Sequence, residues 1–203
     1  VPFRGSGAAA SAVPRWLLYV NLTAPDASPD ACMAWQRGDL ATLAAKLGAR
    51  AVEREDGFSP QSLASRLQDL PATSYKDAPL GAHREVFCLS QLDRASDLVA
   101  AVEPLIAEAA GSTEDAIVSG VYVQPTIQGT SCHVEFTLYH QPQFAAAAKS
   151  LEQRMIERLA DAGGFISRPY ASWSDVAYAR DPKIVPYLRK VKDIFDPKHL
   201  LNP

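Results

Sequence analysis

The chain has 203 residues, of which 47% are hydrophobic, and its formal net charge at pH 7 is −3. This length and composition allow one large domain or two small ones to bury a substantial core. The slightly acidic balance argues against a nucleic-acid-binding protein. No apolar run reaches the roughly 18 residues that a membrane-spanning helix needs, so we expect no membrane span.

The cysteines do not suggest a metal site. Cys32, Cys88 and Cys132 are far apart in the sequence and odd in number, and their spacing does not match that of metal ligands. We therefore expect reduced, buried thiols, and we assign a metal to no residue.

The first quarter of the chain predicts an arm, a strand and a helix. Residues 1–14 hold glycines and other small residues, which is typical of an arm or linker. Residues 16–22 are apolar at all but one position, which predicts a strand. A turn at residues 25–29 is expected to lead into a helix over residues 29–47 that ends at Gly48.

The next stretch is polar and contains several prolines. Residues 49–53 predict a short strand, and residues 54–80 a long connection with one helix at residues 60–70. Residues 84–89 predict a further strand.

The second half of the chain alternates helices and strands. The spacing of apolar residues predicts a helix over residues 93–110, ended by Gly111. Two strands are expected next, over residues 116–127 and 131–139, joined at Gly129. The remaining predicted elements are a helix over 144–162 closed by Gly163 and Gly164, an extended segment over 165–167, and a turn at Pro169.

This order of elements predicts an α+β fold. The order strand, helix, two strands, helix is typical of an antiparallel sheet with helices packed on one face, as in ferredoxin-like domains. In the strand around His133, polar residues alternate with Val134, Phe136 and Leu138, so one sheet face is apolar and the other is polar.

The end of the sequence predicts a closing helix. Leu188, Val191 and Phe195 fall on one helix face, and Pro197 prevents the helix from continuing. We expect Leu200 and Leu201 to pack as an apolar anchor.

The predicted domain division follows from these elements. It consists of an arm (1–14), a main domain (15–185), and a closing helix and segment (186–203). Because the sequence begins at Val1 rather than at methionine, we expect a processed chain or a fragment of a longer one.

Several polar residues are candidates for a site. His83 stands just before a predicted strand, where a lone histidine is either a surface residue or a functional one. His133 and Glu135 share one face of their strand, about 7 Å apart, and suit either a substrate pocket or a solvated sheet surface.

The segment from Ser167 to Tyr170 is a further candidate. Arg168 is either a partner in a structural ion pair or a cation that stabilises an anionic substrate group. Tyr170 can add a phenol two residues later. Trp173, which follows, either covers a substrate or packs beneath the final helix.

Four motifs occur in a particular order. They are W-x-L-Y-x-x-L at residues 16–22, G-A-H at 81–83, the strand that contains His133, and F-D-P-x-x-L-L-N-P at 195–203. Together they resemble the C-terminal cap (substrate) domain of the FAD-linked oxidases, in the group of vanillyl-alcohol oxidase and p-cresol methylhydroxylase. The resemblance covers nearly the whole chain.

The resemblance implies an FAD-dependent oxidase or dehydrogenase that oxidises an alcohol or a para-substituted phenol by hydride transfer to flavin N5. His83 matches a histidine that bonds covalently to the flavin in part of the family, and Asn202, in the closing motif, is assigned with it to cofactor binding. Arg168 matches a substrate-binding arginine and, with Tyr170, is assigned to catalysis. The residues assigned to the substrate pocket are His133, Glu135 and Ser167, the last of which replaces the family's tyrosine.

The resemblance also implies partners. The sequence lacks a glycine-rich phosphate-binding loop, so we expect FAD to be held by a separate flavin-binding domain, on the same precursor or on another chain. Oxygen or a cytochrome would accept the electrons, and a dimer is expected. The sequence does not determine the cellular compartment, and the cytoplasm is slightly favoured over the periplasm.

Two other functions stay open. One is the cap of a 2-hydroxy-acid dehydrogenase, in which Arg168 would bind a carboxylate. The other is a non-catalytic α+β module that binds a small acid or a protein.

Overall fold

The computed structural model describes residues 16–18, 20, 22–50, 81–112, 117–126 and 129–201. These residues fall into two compact units, one up to residue 50 and one from residue 81.

The first unit contains helix α1, Pro29–Lys46. A turn precedes it, in which the Ser28 amide donates to the Pro25 carbonyl at 3.2 Å. Gly48 follows the helix with φ +64°, a conformation that glycine adopts without strain. The amides of Gly48 and Ala49 then bond carbonyls of the last helical turn. The predicted helix and its glycine end are confirmed.

The strand predicted for residues 16–22 is wrong for the residues that the structure describes there. Trp16, Leu18 and Val20 lie outside regular structure and are exposed. A strand needs a neighbour for its backbone groups, and the described part of this unit contains no other strand. The predicted arm (1–14) and helix (60–70), and all but two residues of the predicted strand (49–53), lie outside the described residues.

The second unit contains three strands and four α-helices among its described residues. Each element predicted from residue 84 to residue 162 is present, with bounds shifted by a few residues. The helix predicted to end at Gly111 runs one residue further, to Ser112. None of the described helices could span a membrane. In chain order the elements are β1 (Ala82–Gln91), α2 (Ala95–Ser112), β2 (Ile117–Pro125), β3 (Ser131–His140), α3 (Ala145–Asp161), α4 (Ser172–Arg180) and α5 (Ile184–Phe195).

The strands form an antiparallel sheet in the order β1-β3-β2. Phe165 pairs antiparallel with the outer edge of β1 and occupies the place of a fourth strand there. Its amide donates to the Leu89 carbonyl, and the Leu89 amide donates to the Phe165 carbonyl, both at 2.8 Å. The resulting order, 4-1-3-2, is that of the predicted ferredoxin-like arrangement. The α+β fold predicted from the sequence is confirmed.

Helices α2 and α3 cover one face of the sheet. Val134, Phe136 and Leu138 of β3 are fully buried beneath them, as their alternation predicts. Burial of each such side chain stabilises the fold by about 1.5–3 kcal/mol. The helices contribute buried residues that complete this core: Leu98, Val99 and Val102 from α2, and Leu151, Met155, Ile156 and Leu159 from α3.

The closing segment after α5 is held by polar contacts. Leu200 and Leu201 are 75% and 68% exposed, so the prediction that they pack as an apolar anchor is wrong. Their amides instead donate to the Asp196 carboxylate at 2.8 and 2.9 Å. Lys192 donates to the same carboxylate at 2.9 Å. The charge of Asp196, rather than apolar burial, holds the segment against the end of α5.

This arrangement predicts a pH-dependent closing segment. The Lys192 ammonium, together with the amides of Leu200 and Leu201, lowers the pKa of Asp196 from 3.8 to about 2. A lowered folded-state pKa means that the stabilisation is complete above the unfolded value and is lost as pH falls towards about 2. We expect Asp196→Asn to speed hydrogen exchange at the Leu201 amide several-fold at neutral pH, as measured by NMR. Asp39→Asn, which removes an exposed carboxylate on α1, should leave that amide unchanged.

Candidate functional site

A cleft of about 450 Å³ lies where β1 begins and β3 ends. Its size falls within the range of small-molecule pockets. His83 and Tyr170, both predicted site residues, line it. The other lining residues are Ala82, Arg84, Glu85, His140, Ala145 and Glu152.

His83 reaches the cleft from the second position of β1. Gly81, with φ +88°, makes the turn into the strand. The His83 side chain is 21% exposed, and its Nε2 atom lies 3.5 Å from Oε1 of Glu85 on the same strand face. The imidazole is therefore accessible from the cleft while a carboxylate helps to orient it.

Tyr170 lies on the segment that borders β1. Its ring stacks on that of Trp173, with centroids 5.0 Å apart and planes 17° from parallel. Burial raises the pKa of the Tyr170 phenol, and the carboxylates of Glu85 and Glu152 raise it further, while the charge of Arg168 acts in the opposite direction. The phenol is therefore protonated at neutral pH and can donate a hydrogen bond.

The backbone after Tyr170 is strained. Ala171 has φ +49° and ψ −133°, a combination that non-glycine residues rarely adopt. The Trp173 amide donates to the Tyr170 carbonyl at 3.1 Å, and the Ser174 hydroxyl donates to the Ala171 carbonyl at 2.6 Å. These bonds fix the turn that presents Tyr170, and strain of this kind is often found at functional sites.

A partly buried network joins three elements at the cleft. The Trp173 indole N–H donates to Oε1 of Glu152 at 3.1 Å, and Arg84 forms an ion pair with the other oxygen of the same carboxylate. The network thus ties α4 to α3 and β1. Sequence reasoning missed Arg84 and Glu152, because neither residue belongs to a motif and they are 68 residues apart.

His133 and Glu135 lie on the sheet face opposite to α2 and α3. His133 Nε2 is 3.3 Å from Oε2 of Glu135, and the Thr137 hydroxyl donates to Oε1 at 3.1 Å. The pair is outside the cleft lining, but Phe87 links the two places. The Phe87 ring centroid is 5.3 Å from that of His133 and 6.3 Å from that of Tyr170.

The remaining predicted site residues lie outside the cleft lining or outside the described residues. Arg168 is exposed, and it lies close enough to Tyr170 for its charge to act on the phenol pKa. Ser167 is half-buried. Neither Arg168 nor Ser167 is among the described residues that line the cleft. Asn202 lies outside the described residues.

Within the described ranges, no group of three or more histidine, cysteine or acidic side chains could hold a metal ion. No family model, curated protein or solved structure matches the chain. The function must therefore be argued from the site.

Proposed function

We propose that the chain is the substrate domain of an FAD-dependent oxidoreductase that oxidises an alcohol or a para-substituted phenol. The observation that carries the proposal is the shared cleft of His83 and Tyr170, two residues that are 87 positions apart in the sequence. A histidine that could anchor a flavin and a phenol that could contact a substrate thereby face one space.

The residues around this cleft fit a flavin ring. The volume is suitable for part of a planar ring system and a small substrate, and the cleft wall carries a partly exposed imidazole. The bound flavin would supply two-electron oxidation of the substrate. His83 would hold it covalently, and Asn202 is proposed to lie near it. The phosphate groups would be bound by a separate flavin-binding domain.

The Glu85 carboxylate would orient His83 for that role. The 3.5 Å contact between Nε2 and the Glu85 carboxylate would favour the tautomer of His83 that carries its proton on Nε2. A carboxylate that accepts a hydrogen bond from one ring nitrogen fixes the tautomer of a functional histidine in this way.

The substrate would be oriented by Arg168 and Tyr170. The guanidinium would stabilise negative charge on the substrate oxygen, and the protonated phenol would contact the substrate beside it. His133, Glu135 and Ser167 would shape the outer part of the pocket. The proximity of Arg168 to Tyr170 supports this assignment.

Replacement of His83 by asparagine should abolish covalent flavin attachment. The test uses the complete protein as its native source produces it, denatured in acid and separated from free cofactor. We expect flavin absorbance to stay with the wild-type polypeptide and to be absent from that of His83→Asn.

His199→Asn is the matched control. His199 also lies beside a carboxylate, Asp193 at 3.3 Å, but it is exposed and outside the cleft lining. Asparagine tolerates its positive φ of 50°. Colour that remains on the His83→Asn polypeptide would refute the assignment. A wild-type protein without flavin absorbance would favour the non-catalytic binding module.

A further inference from the structure

The carboxylate of Glu152 lines the cleft and is held by two partners. Its Oε1 atom accepts the indole N–H of Trp173 at 3.1 Å, and its Oε2 atom accepts a hydrogen bond from the guanidinium of Arg84. The Glu152 side chain is 13% exposed, so water competes little for these bonds. With a different donor on each oxygen, the carboxylate has a defined orientation.

The strand register explains why Arg84 meets Glu152. Arg84 pairs with Leu138 across the sheet, and Leu138 is fully buried on the face that the helices cover. Paired residues project from the same sheet face, so Arg84 extends towards α3 and needs an anionic partner there. Hydrophobic residues of similar volume often give the same stability as such a pair, because desolvation offsets the attraction of the charges. Stability alone therefore does not account for the pair.

Trp173 connects Glu152 to Tyr170. The indole is 1% exposed, and its plane lies 17° from that of the Tyr170 ring, with centroids 5.0 Å apart. Phe87 contacts both rings, with centroids 5.1 Å from Trp173 and 6.3 Å from Tyr170. Ring contacts tolerate a range of angles, whereas a hydrogen bond weakens steeply when its angle changes. The bond to Glu152 therefore sets the orientation of the indole, and the stacked Tyr170 ring follows it.

We propose that Glu152 is a positioning residue for Tyr170. Held by Arg84, it orients the indole of Trp173, and the indole in turn orients the Tyr170 ring at the cleft. Glu152 acts in this way through other side chains and without contact to a ligand. In the oxidoreductase proposed above, this series of contacts places the phenol beside the substrate, and in that respect the inference rests on the proposed function.

The test compares two double variants of the 203-residue chain without flavin, by NMR. Arg84→Met with Glu152→Gln removes both charges but keeps a side-chain oxygen that accepts the indole N–H. Arg84→Met with Glu152→Leu removes both charges and the acceptor. Because neither double variant leaves a charge without its partner, we expect both to fold, and thermal unfolding checks this.

The two variants should differ in the orientation of the rings. In wild type and in the glutamine variant, we expect nuclear Overhauser contacts between the ring protons of Tyr170 and Trp173, and slow exchange of the indole N–H. In the leucine variant, those contacts should weaken, and the indole proton should exchange roughly 10-fold faster because its hydrogen bond is lost. Glu157→Gln, which neutralises an exposed carboxylate on α3 outside the cleft lining, should change neither reading.

Wild-type ring contacts and indole exchange in a folded leucine variant would overturn the proposal. Equal losses in the glutamine and leucine variants would also overturn it, because the acceptor would then not orient the rings. If the leucine variant does not fold, Trp173→Phe makes the same comparison by removing the N–H and keeping a ring, and unchanged contacts between residues 170 and 173 would contradict the proposal. Because the test needs no flavin, this inference can stand where the cofactor assignment fails, and the reverse also holds.

Discussion

Trp173→Ala is expected to lower the free energy of unfolding by about 3–5 kcal/mol, the range measured when a buried aromatic side chain is truncated. The side chain is 1% exposed and contacts the rings of Phe87 and Tyr170. Its removal leaves a cavity and also deprives Glu152 of a hydrogen-bond donor. Urea denaturation followed by circular dichroism measures the change.

Two variants define the origin of this effect. Trp173→Phe keeps a ring but loses the indole N–H, so we expect a loss of about 1.5–3 kcal/mol, the contribution of a hydrogen bond to a charged group. Trp35→Ala removes a tryptophan that is 67% exposed on α1 and should change stability by less than about 0.5 kcal/mol. Equal effects of the Trp173 and Trp35 alanine variants would show that Trp173 does not anchor the segment.

Gly164→Ala should be the second strongly destabilising change, by about 1–3 kcal/mol, because an added methyl group overpacks the core. A Cβ atom at this position would lie 2.9 Å from the Cys88 sulfur and 2.9 Å from the Leu159 carbonyl oxygen. The carbonyl already accepts the Gly164 amide at 2.8 Å in the turn that ends α3. Neither neighbour is a flexible side-chain end that could move aside at low cost.

A matched glycine gives the opposite result. Gly38 lies inside α1, and a methyl group added there would meet no atom within 4 Å, so Gly38→Ala should stabilise the helix by about 0.5–1 kcal/mol. In a double-mutant cycle, Cys88→Ala should recover part of the Gly164→Ala loss, since only the sulfur contact is relieved. A Gly164→Ala variant as stable as wild type would contradict the close packing of β1 against the end of α3.

The sequence predicts most of the second unit because local signals and tertiary packing agree there. The alternation in β3 places Val134, Phe136 and Leu138 on the buried face, and Gly163 ends α3 with φ +92°. Such signals depend on residues near each other in the chain.

The failures share a different cause. Residues 16–22 look like a strand, but a strand forms only with a partner, and pairing is not encoded locally. Leu200 and Leu201 look like an anchor, but the apolar side chains are exposed and Asp196 binds their amides. In both cases apolar character did not determine burial.

The candidate site is only partly predictable. The G-A-H motif identifies His83, and Tyr170 is noted only for its position two residues after Arg168. Their shared cleft depends on how the segment after α3 runs along β1. The link from Arg84 through Glu152 to Trp173 joins three elements, so no sequence window contains it. The strain at Ala171 also carries no sequence signal, since alanine is not enriched at positive φ.

The most direct test of the central claim is the mass of the tryptic peptide formed by residues 77–84, which contains His83. The peptide should be isolated from the protein of its native source without reducing or stripping the cofactor. We predict that it carries the added mass of a flavin, with the modification on His83. Recovery of this peptide only in unmodified form would contradict the account.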